Sequence, residues 1–204
     1  MTNSANQPVW HEPKVSREQL WNAHKFHGMT IWLTGLSGSG KSTIAHELAR
    51  KLTELGKFAY VLDADNVRHG LNSDLGFTDD DRAENVRRMA EVAKLFALSG
   101  AITLVPIISP FASGRQFARL IHTSDNLEFV EVHVATSLAE CEKRDTKGLY
   151  AQVKAGASIG LSGVNAPYEA PTAPEFSLCA NGESLDQCVE TLLRDVLLRC
   201  DLKR

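Results

Sequence analysis

At 204 residues and a formal net charge of −3, the chain has room for one compact domain and carries no global basic field for nucleic acid or an anionic membrane. Any anion it binds must be held by local cations. Cys141, Cys179, Cys188 and Cys200 show neither C-x-x-C spacing nor a nearby His pattern, so they read as reduced thiols of a cytoplasmic protein rather than bridges or zinc ligands.

Residues 1–13 are polar, include Pro8 and Pro13, and read as a flexible arm without the apolar stretch of a signal peptide. No run approaches transmembrane length. Ser16 followed by Gln19 predicts a capped helix through about His24. Met29–Thr34 reads as a strand, about 42–55 as a helix ending at Gly56, and Phe58–Leu62 as a second strand. A helix of mixed charge spans about 79–99 and stops at Gly100. Ala101–Ile108 is a near-continuous apolar run, the pattern of a strand buried on both faces. A helix at about 114–122 and a strand at Leu127–Val134 follow. The last helix, about 184–200, carries Leu185, Val189, Leu192, Leu193, Val196 and Leu197 at helical spacing, which is a core stripe. This alternation predicts an α/β fold, a central parallel sheet with helices on both faces. Ligands of such sheets sit at the carboxyl ends of the strands, here the segments starting at Gly35, Asp63, Ser109 and Thr136.

Gly35-Leu36-Ser37-Gly38-Ser39-Gly40-Lys41-Ser42-Thr43 follows the first strand and opens a helix. This is the G-x-x-x-x-G-K-[ST] phosphate loop in its required context. The glycines let successive N–H groups turn inward onto phosphate oxygens. Lys41 brings a point charge to the β- and γ-phosphates, and the Ser42 hydroxyl can ligate Mg²⁺. The helix dipole adds to both. A nucleoside triphosphate is the implied ligand.

The segment after the second strand holds the next constellation. Asp63 and Asp65 suit a proton acceptor or a Mg²⁺ anchor through water, with capping of the following helix as the alternative for either. Arg68 and Arg82 are expected to bind an anionic phosphoryl acceptor; Arg87 and Arg88 read equally well as a face paired with Asp79–Asp81 and Glu84. Phe77 suits either a core position or stacking on a base. The third strand ends without a carboxylate, so the usual second Mg²⁺-binding aspartate is missing there, and no Asn-Lys-x-Asp guanine-reading motif occurs.

Together with Asp63–Leu71, Asp74–Phe77, Asp81–Arg88, Arg144–Tyr150 and Pro167–Pro171, the phosphate loop makes the chain resemble the adenylylsulfate kinase (APS kinase) family from about Arg17 to the last helix. The resemblance implies a P-loop kinase fold of about five strands in a single domain, 14–204, with a lid at about 147–170. It implies transfer of the γ-phosphoryl of MgATP to the 3′-hydroxyl of adenosine 5′-phosphosulfate in sulfate assimilation. On that basis Lys41 and Ser42 hold ATP and Mg²⁺, and Asp63 orients or deprotonates the hydroxyl with Asp65 beside it. Arg68, Arg82 and Asn85 bind the phosphosulfate and ribose, Phe77 stacks on the adenine, and Lys147 closes over the acceptor from a mobile segment. Ser109 occupies the position described for the family as a phosphoserine. Because in-line transfer needs no covalent intermediate, it is expected here as a substrate contact.

Several positions depart from the family pattern. Ala64 replaces a glycine, Ala112 an arginine and Ile159 a lysine, and Leu161–Asn165 stands for Phe-Thr-Gly-Ile-Asp. Leu161 therefore takes the place of the second wall of the adenine clamp. Two further readings follow: a P-loop kinase of another small molecule, or a degenerate nucleotide-binding partner of a sulfurylase. Family members often dimerise, so a homodimer is the implied assembly.

Overall fold

The computed structural model describes residues 8–9, 11–180 and 182–201; residues 1–7 and Trp10, most of the expected flexible arm, lie outside the described residues. Five strands form one parallel sheet in the order β2-β3-β1-β4-β5. They are β1 (Met29–Thr34), β2 (Ala59–Val61), β3 (Ile102–Pro106), β4 (Glu128–Val134) and β5 (Phe176–Leu178). All six residues of β1 are buried, because it lies at the centre of the sheet with helices on both faces.

On one face pack α2 (Lys41–Glu54) and α8 (Leu185–Cys200), whose Ile44, Leu48, Leu52, Val189 and Leu192 meet Ile31, Leu33 and Val132. On the other lie α4 (Asp79–Leu98) and α5 (Ala112–Thr123), where Met89, Ala93 and Ala118 cover Trp32 and Val105. The amino-terminal helix α1 (Arg17–His24) has the expected capping box between Ser16 and Gln19, and its Trp21 packs on Ala97. Among the described residues no helix is long and apolar enough to cross a membrane.

Pattern reading gave β1 its observed bounds and set β2, β3 and β4 one to three residues too long. Phe58 and Leu62 still exchange backbone bonds with β3, Ile102 N–H to Phe58 O at 2.8 Å and Leu62 N–H to Leu104 O at 2.8 Å. At Pro106 the ring removes a donor, and β3 ends there. Four short elements escaped the sequence: α3 (Ala64–Val67), α6 (Leu138–Arg144), α7 (Leu149–Lys154) and β5. Each is shorter than the window over which a period can be recognised. The expected lid at 147–170 therefore begins as a helix, followed by a loop tied by a bridge between Ser162 and Ala166.

Candidate active site

The phosphate loop joins β1 to α2, and two glycines make its path possible. Gly40 is the N-cap of α2 at φ 106°, a left-handed conformation that costs other residues free energy. A Cβ on Gly35 would sit 2.6 Å from the Val134 carbonyl oxygen. No side chain caps α2, so the free N–H groups of its first turn face the loop. Outside support is direct: Thr136 Oγ1 donates to Ser39 O at 2.8 Å, and Tyr150 Oη to Ser37 O at 2.9 Å.

Lys41 is buried, its Nζ donating to Gly35 O at 3.0 Å and Leu36 O at 2.7 Å. Burial first, then the cation of Lys147, pull this amine down to about 8. Beside it, Ser42 Oγ donates to Asp63 Oδ2 at 2.8 Å. The other oxygen of Asp63, Oδ1, accepts from Asp65 N–H at 2.9 Å and Asn66 N–H at 3.4 Å. One oxygen of Asp63 caps α3, as the capping reading has it, and the other faces the loop at Ser42, which leaves room for the second reading beside the first. Ser42 and Asp63 offer hard oxygens of the kind Mg²⁺ takes, with phosphate and water completing its shell.

Two cavities meet here. The larger, about 220 Å³, runs along the phosphate loop past Ser42, Thr43, Arg144, Thr146 and Lys147. The smaller, about 80 Å³, is walled by Arg68, Phe77, Arg82, Asn85, Ser109 and Pro110. They share Ala64, Asp65, Ile107 and Ile108. A phosphate-binding pocket thus opens directly onto a pocket edged by two guanidiniums and an aromatic ring.

The family described as Adenylylsulphate kinase matches residues 27–179. This chain belongs to the adenylylsulphate kinase family. The adenylyl-sulfate kinase of Prochlorococcus marinus is 46% identical over 198 residues, 97% of each chain. That of Clostridium kluyveri is 49% identical over 184 residues, covering 90% of this chain and 91% of its own. Among solved structures, the APS kinase of Mycobacterium tuberculosis in complex with AMPPNP and APS aligns with a TM-score of 0.80 at 48% identity, covering 84% of this chain and 98% of that one.

In this adenylylsulphate kinase, Arg68 donates to Leu75 O at 3.2 Å and Gly76 O at 3.0 Å and lies 4.4 Å over the Phe77 ring. Burial lowers its pKa from the ordinary arginine value. Phe77 itself is 66% exposed, open on its other face, so the stacking role is available and the core role is not. Arg82 reaches Phe77 O at 2.9 Å, Gly160 O at 2.6 Å and Ser162 Oγ at 3.3 Å, bridging α4 to the 160–162 loop. Asn85 is buried and accepts from Asn72 Nδ2 at 3.0 Å. Lys147 pairs with Asp65 where the two cavities join, and it lines the phosphate-loop cavity rather than the smaller one.

Leu161 is not brought to the smaller cavity. It is buried with Cys141 and Tyr150, and Leu36 packs against the same cluster, so it anchors the loop instead of facing a ligand. Asn165 stiffens that loop, accepting from Leu161 N–H at 2.6 Å and donating to Ile159 O at 2.9 Å. Arg87 pairs with Glu84, and Arg88 holds Asp74 through two bonds at 2.7 and 2.8 Å, the ion-paired arrangement of the second reading with Asp74 in place of Asp79–Asp81. Sequence reasoning assigned nothing to Arg144 and Thr146, although both belong to the quoted Arg144–Tyr150 motif. The Arg144 side chain is a third cation on the phosphate-loop cavity, beside Lys41 and Lys147.

Ser109 sits at φ 41° and is almost wholly buried, its Oγ accepting from Trp32 Nε1 at 3.1 Å. Arg115 holds this turn: it donates to Ser109 O at 2.7 Å, Glu169 O at 2.7 Å and Glu131 Oε1 at 2.8 Å. Arg115→Met should lower stability by about 3 kcal/mol, because it takes the donor from the Ser109 and Glu169 carbonyls and leaves the buried Glu131 with only its longer contact to Arg119 at 3.4 Å. A urea midpoint lowered without change in slope is the expected signature; a shift under about 0.5 kcal/mol would show the network to be dispensable.

Proposed function

We propose that this chain catalyses transfer of the γ-phosphoryl group of MgATP to the 3′-hydroxyl of adenosine 5′-phosphosulfate, giving 3′-phosphoadenosine 5′-phosphosulfate and ADP. The observation that carries the reading is the junction of the two cavities at Asp65, two residues on from Asp63 of the Ser42–Asp63 pair. Phosphoryl transfer requires an alcohol in line with the γ-phosphorus and little covalent help from the protein. The phosphate loop fixes the triphosphate, with Lys41 and Arg144 facing its negative charge. Mg²⁺, held through Ser42 and by Asp63 directly or through water, would neutralise charge that builds between the β- and γ-oxygens. Asp63 then receives the proton of the attacking hydroxyl. On the acceptor side Arg68 and Arg82 face the phosphosulfate, Asn85 the ribose, and Phe77 offers its open face to the adenine. Ser109 shapes the wall through its backbone turn; its hydroxyl already serves Trp32.

Incubation with labelled MgATP and a panel of nucleotide and sugar alcohols tests the reading. Adenosine 5′-phosphosulfate should be the acceptor used, with label at the 3′ position. Turnover only on another alcohol would select the shifted-acceptor reading, and nucleotide binding without any turnover the degenerate one. Phe77→Ala should raise the KM for the acceptor by roughly tenfold while leaving that for ATP unchanged, since an offset-stacked ring contributes about 0.5–1.5 kcal/mol beyond its area. Equal effects on both KM values would remove Phe77 from the acceptor site. A cytoplasmic homodimer completes the proposal. A hexameric APS kinase from Thiobacillus denitrificans, 30% identical and matched over 30% of its chain, makes light scattering the measurement to run.

A further inference from the structure

Two thiols outside the active site stand unusually close. Cys179 Sγ and Cys188 Sγ are 2.9 Å apart, and both cysteines are free. Ordinary sulfur–sulfur contact is wider than this, and a disulfide is about 2.05 Å long, so less than 1 Å of closure separates the pair from a bond. Cys179 follows β5 and is partly exposed, whereas Cys188 lies buried in the first turns of α8. The backbone supports the approach: Cys179 holds φ 63°, a left-handed conformation uncommon for a residue with a Cβ. Strain of that kind persists where its surroundings over-determine it.

We infer that Cys179 and Cys188 form a thiol–disulfide couple, a clasp that a small-molecule disulfide closes without rearranging the fold. The exchange balances in two steps. The Cys179 thiolate attacks one sulfur of the reagent, whose S–S bond breaks and releases one thiolate. Cys188 then attacks the Cys179 sulfur, displacing the second. Two cysteine thiols are oxidised, one reagent disulfide is reduced, and both protons end on the released thiols. Burial, then the hydrogen bond with Cys188, keeps Cys179 well above the ordinary thiol range, so the reaction is best run at mildly alkaline pH.

The clasp fastens β5 to α8 close to the phosphate loop. Leu178 O, next to Cys179, accepts from Ala135 N–H at 2.7 Å, and the following residue, Thr136, holds Ser39. Closing it constrains the unfolded chain between the two cysteines and leaves this hydrogen-bonded path in place.

The test treats the full chain with hydroxyethyl disulfide. Intact mass should fall by two hydrogens, and peptide mapping should join Cys179 to Cys188. Tm should rise by roughly 5 °C, from the entropy of a short closed loop in a domain of this size. Dithiothreitol should reverse both changes. Cys179→Ser and, to guard against misfolding at the buried position, Cys188→Ala should each abolish the mass loss and the rise in Tm. A stable mixed disulfide on Cys179 that Cys188 fails to displace would overturn the inference. Linkage through Cys141 or Cys200, or closure without a rise in Tm, would overturn it equally.

Discussion

Asp63→Asn should lower kcat by about 10²- to 10⁴-fold, the range lost with a positioned general base, while ATP affinity stays within a few-fold of the parent. The substitution separates two duties of one side chain. Asparagine caps helices as well as aspartate does, so its carbonyl oxygen can keep the N–H groups of Asp65 and Asn66 and hold α3 in place. The oxygen facing Ser42 is what changes: an amide there neither takes a proton nor anchors a cation. Asp63→Ala would remove the cap as well and cost about 1 kcal/mol of stability, which makes it the poorer probe. Asp65→Asn is the control for the other carboxylate. Its side chain is 63% exposed and paired with Lys147, so its loss should be milder. Rapid-quench turnover read beside equilibrium nucleotide binding distinguishes the cases. Near-normal turnover in Asp63→Asn would end its assignment as the base.

How much of this was legible beforehand depended on whether a signal is local. The phosphate loop was read in full because its geometry is written in consecutive residues: glycines for the turn, Lys41 and Ser42 for phosphate and cation. The pattern of β1 and β3 gave the buried parallel sheet for the same reason. Long-range facts were less visible. That Arg82 reaches Gly160 and Ser162, or that Arg115 joins Ser109, Glu131 and Glu169, depends on which loops the fold brings together. Nothing in their own neighbourhoods encodes it. Leu161 shows the hazard in the other direction. A position matched to a clamp residue by motif turns inward here onto Tyr150 and Cys141. Leucine is small and apolar enough to be covered by that cluster, so of the two expected clamp positions only Phe77 lines the smaller cavity. For Asp63 the choice between cap and catalytic group was never exclusive, because a carboxylate has two oxygens and the strand end gives each its own partner.

Lys41→Met should weaken ATP binding by roughly 10²- to 10⁴-fold, taking two charge-assisted hydrogen bonds to the β- and γ-phosphates at about 1.5–3 kcal/mol each. Methionine keeps the length and the apolar stem, so the loss reports the charge rather than the volume. The pH dependence isolates it further. Without nucleotide the buried amine titrates at about 8, and bound phosphates must raise that value, because they favour the charged form. Below about 8 the amine is already protonated, and this group gives affinity no slope. Above it, binding must take up a proton, so affinity should fall nearly tenfold per pH unit until the pKa of the complex is reached. The γ-phosphate is fully ionised throughout that window and adds no slope of its own. Lys41→Met should therefore be weak and flat where the parent is tight and falling. Lys147→Ala should move the parent's break upward, since it removes the cation that helps depress Lys41. Calorimetric titration in two buffers of different ionisation enthalpy counts the protons directly. Uptake near one proton in the parent above the break, and near none in Lys41→Met, is the expected pair. Equal uptake in both would place the titrating group elsewhere in the site.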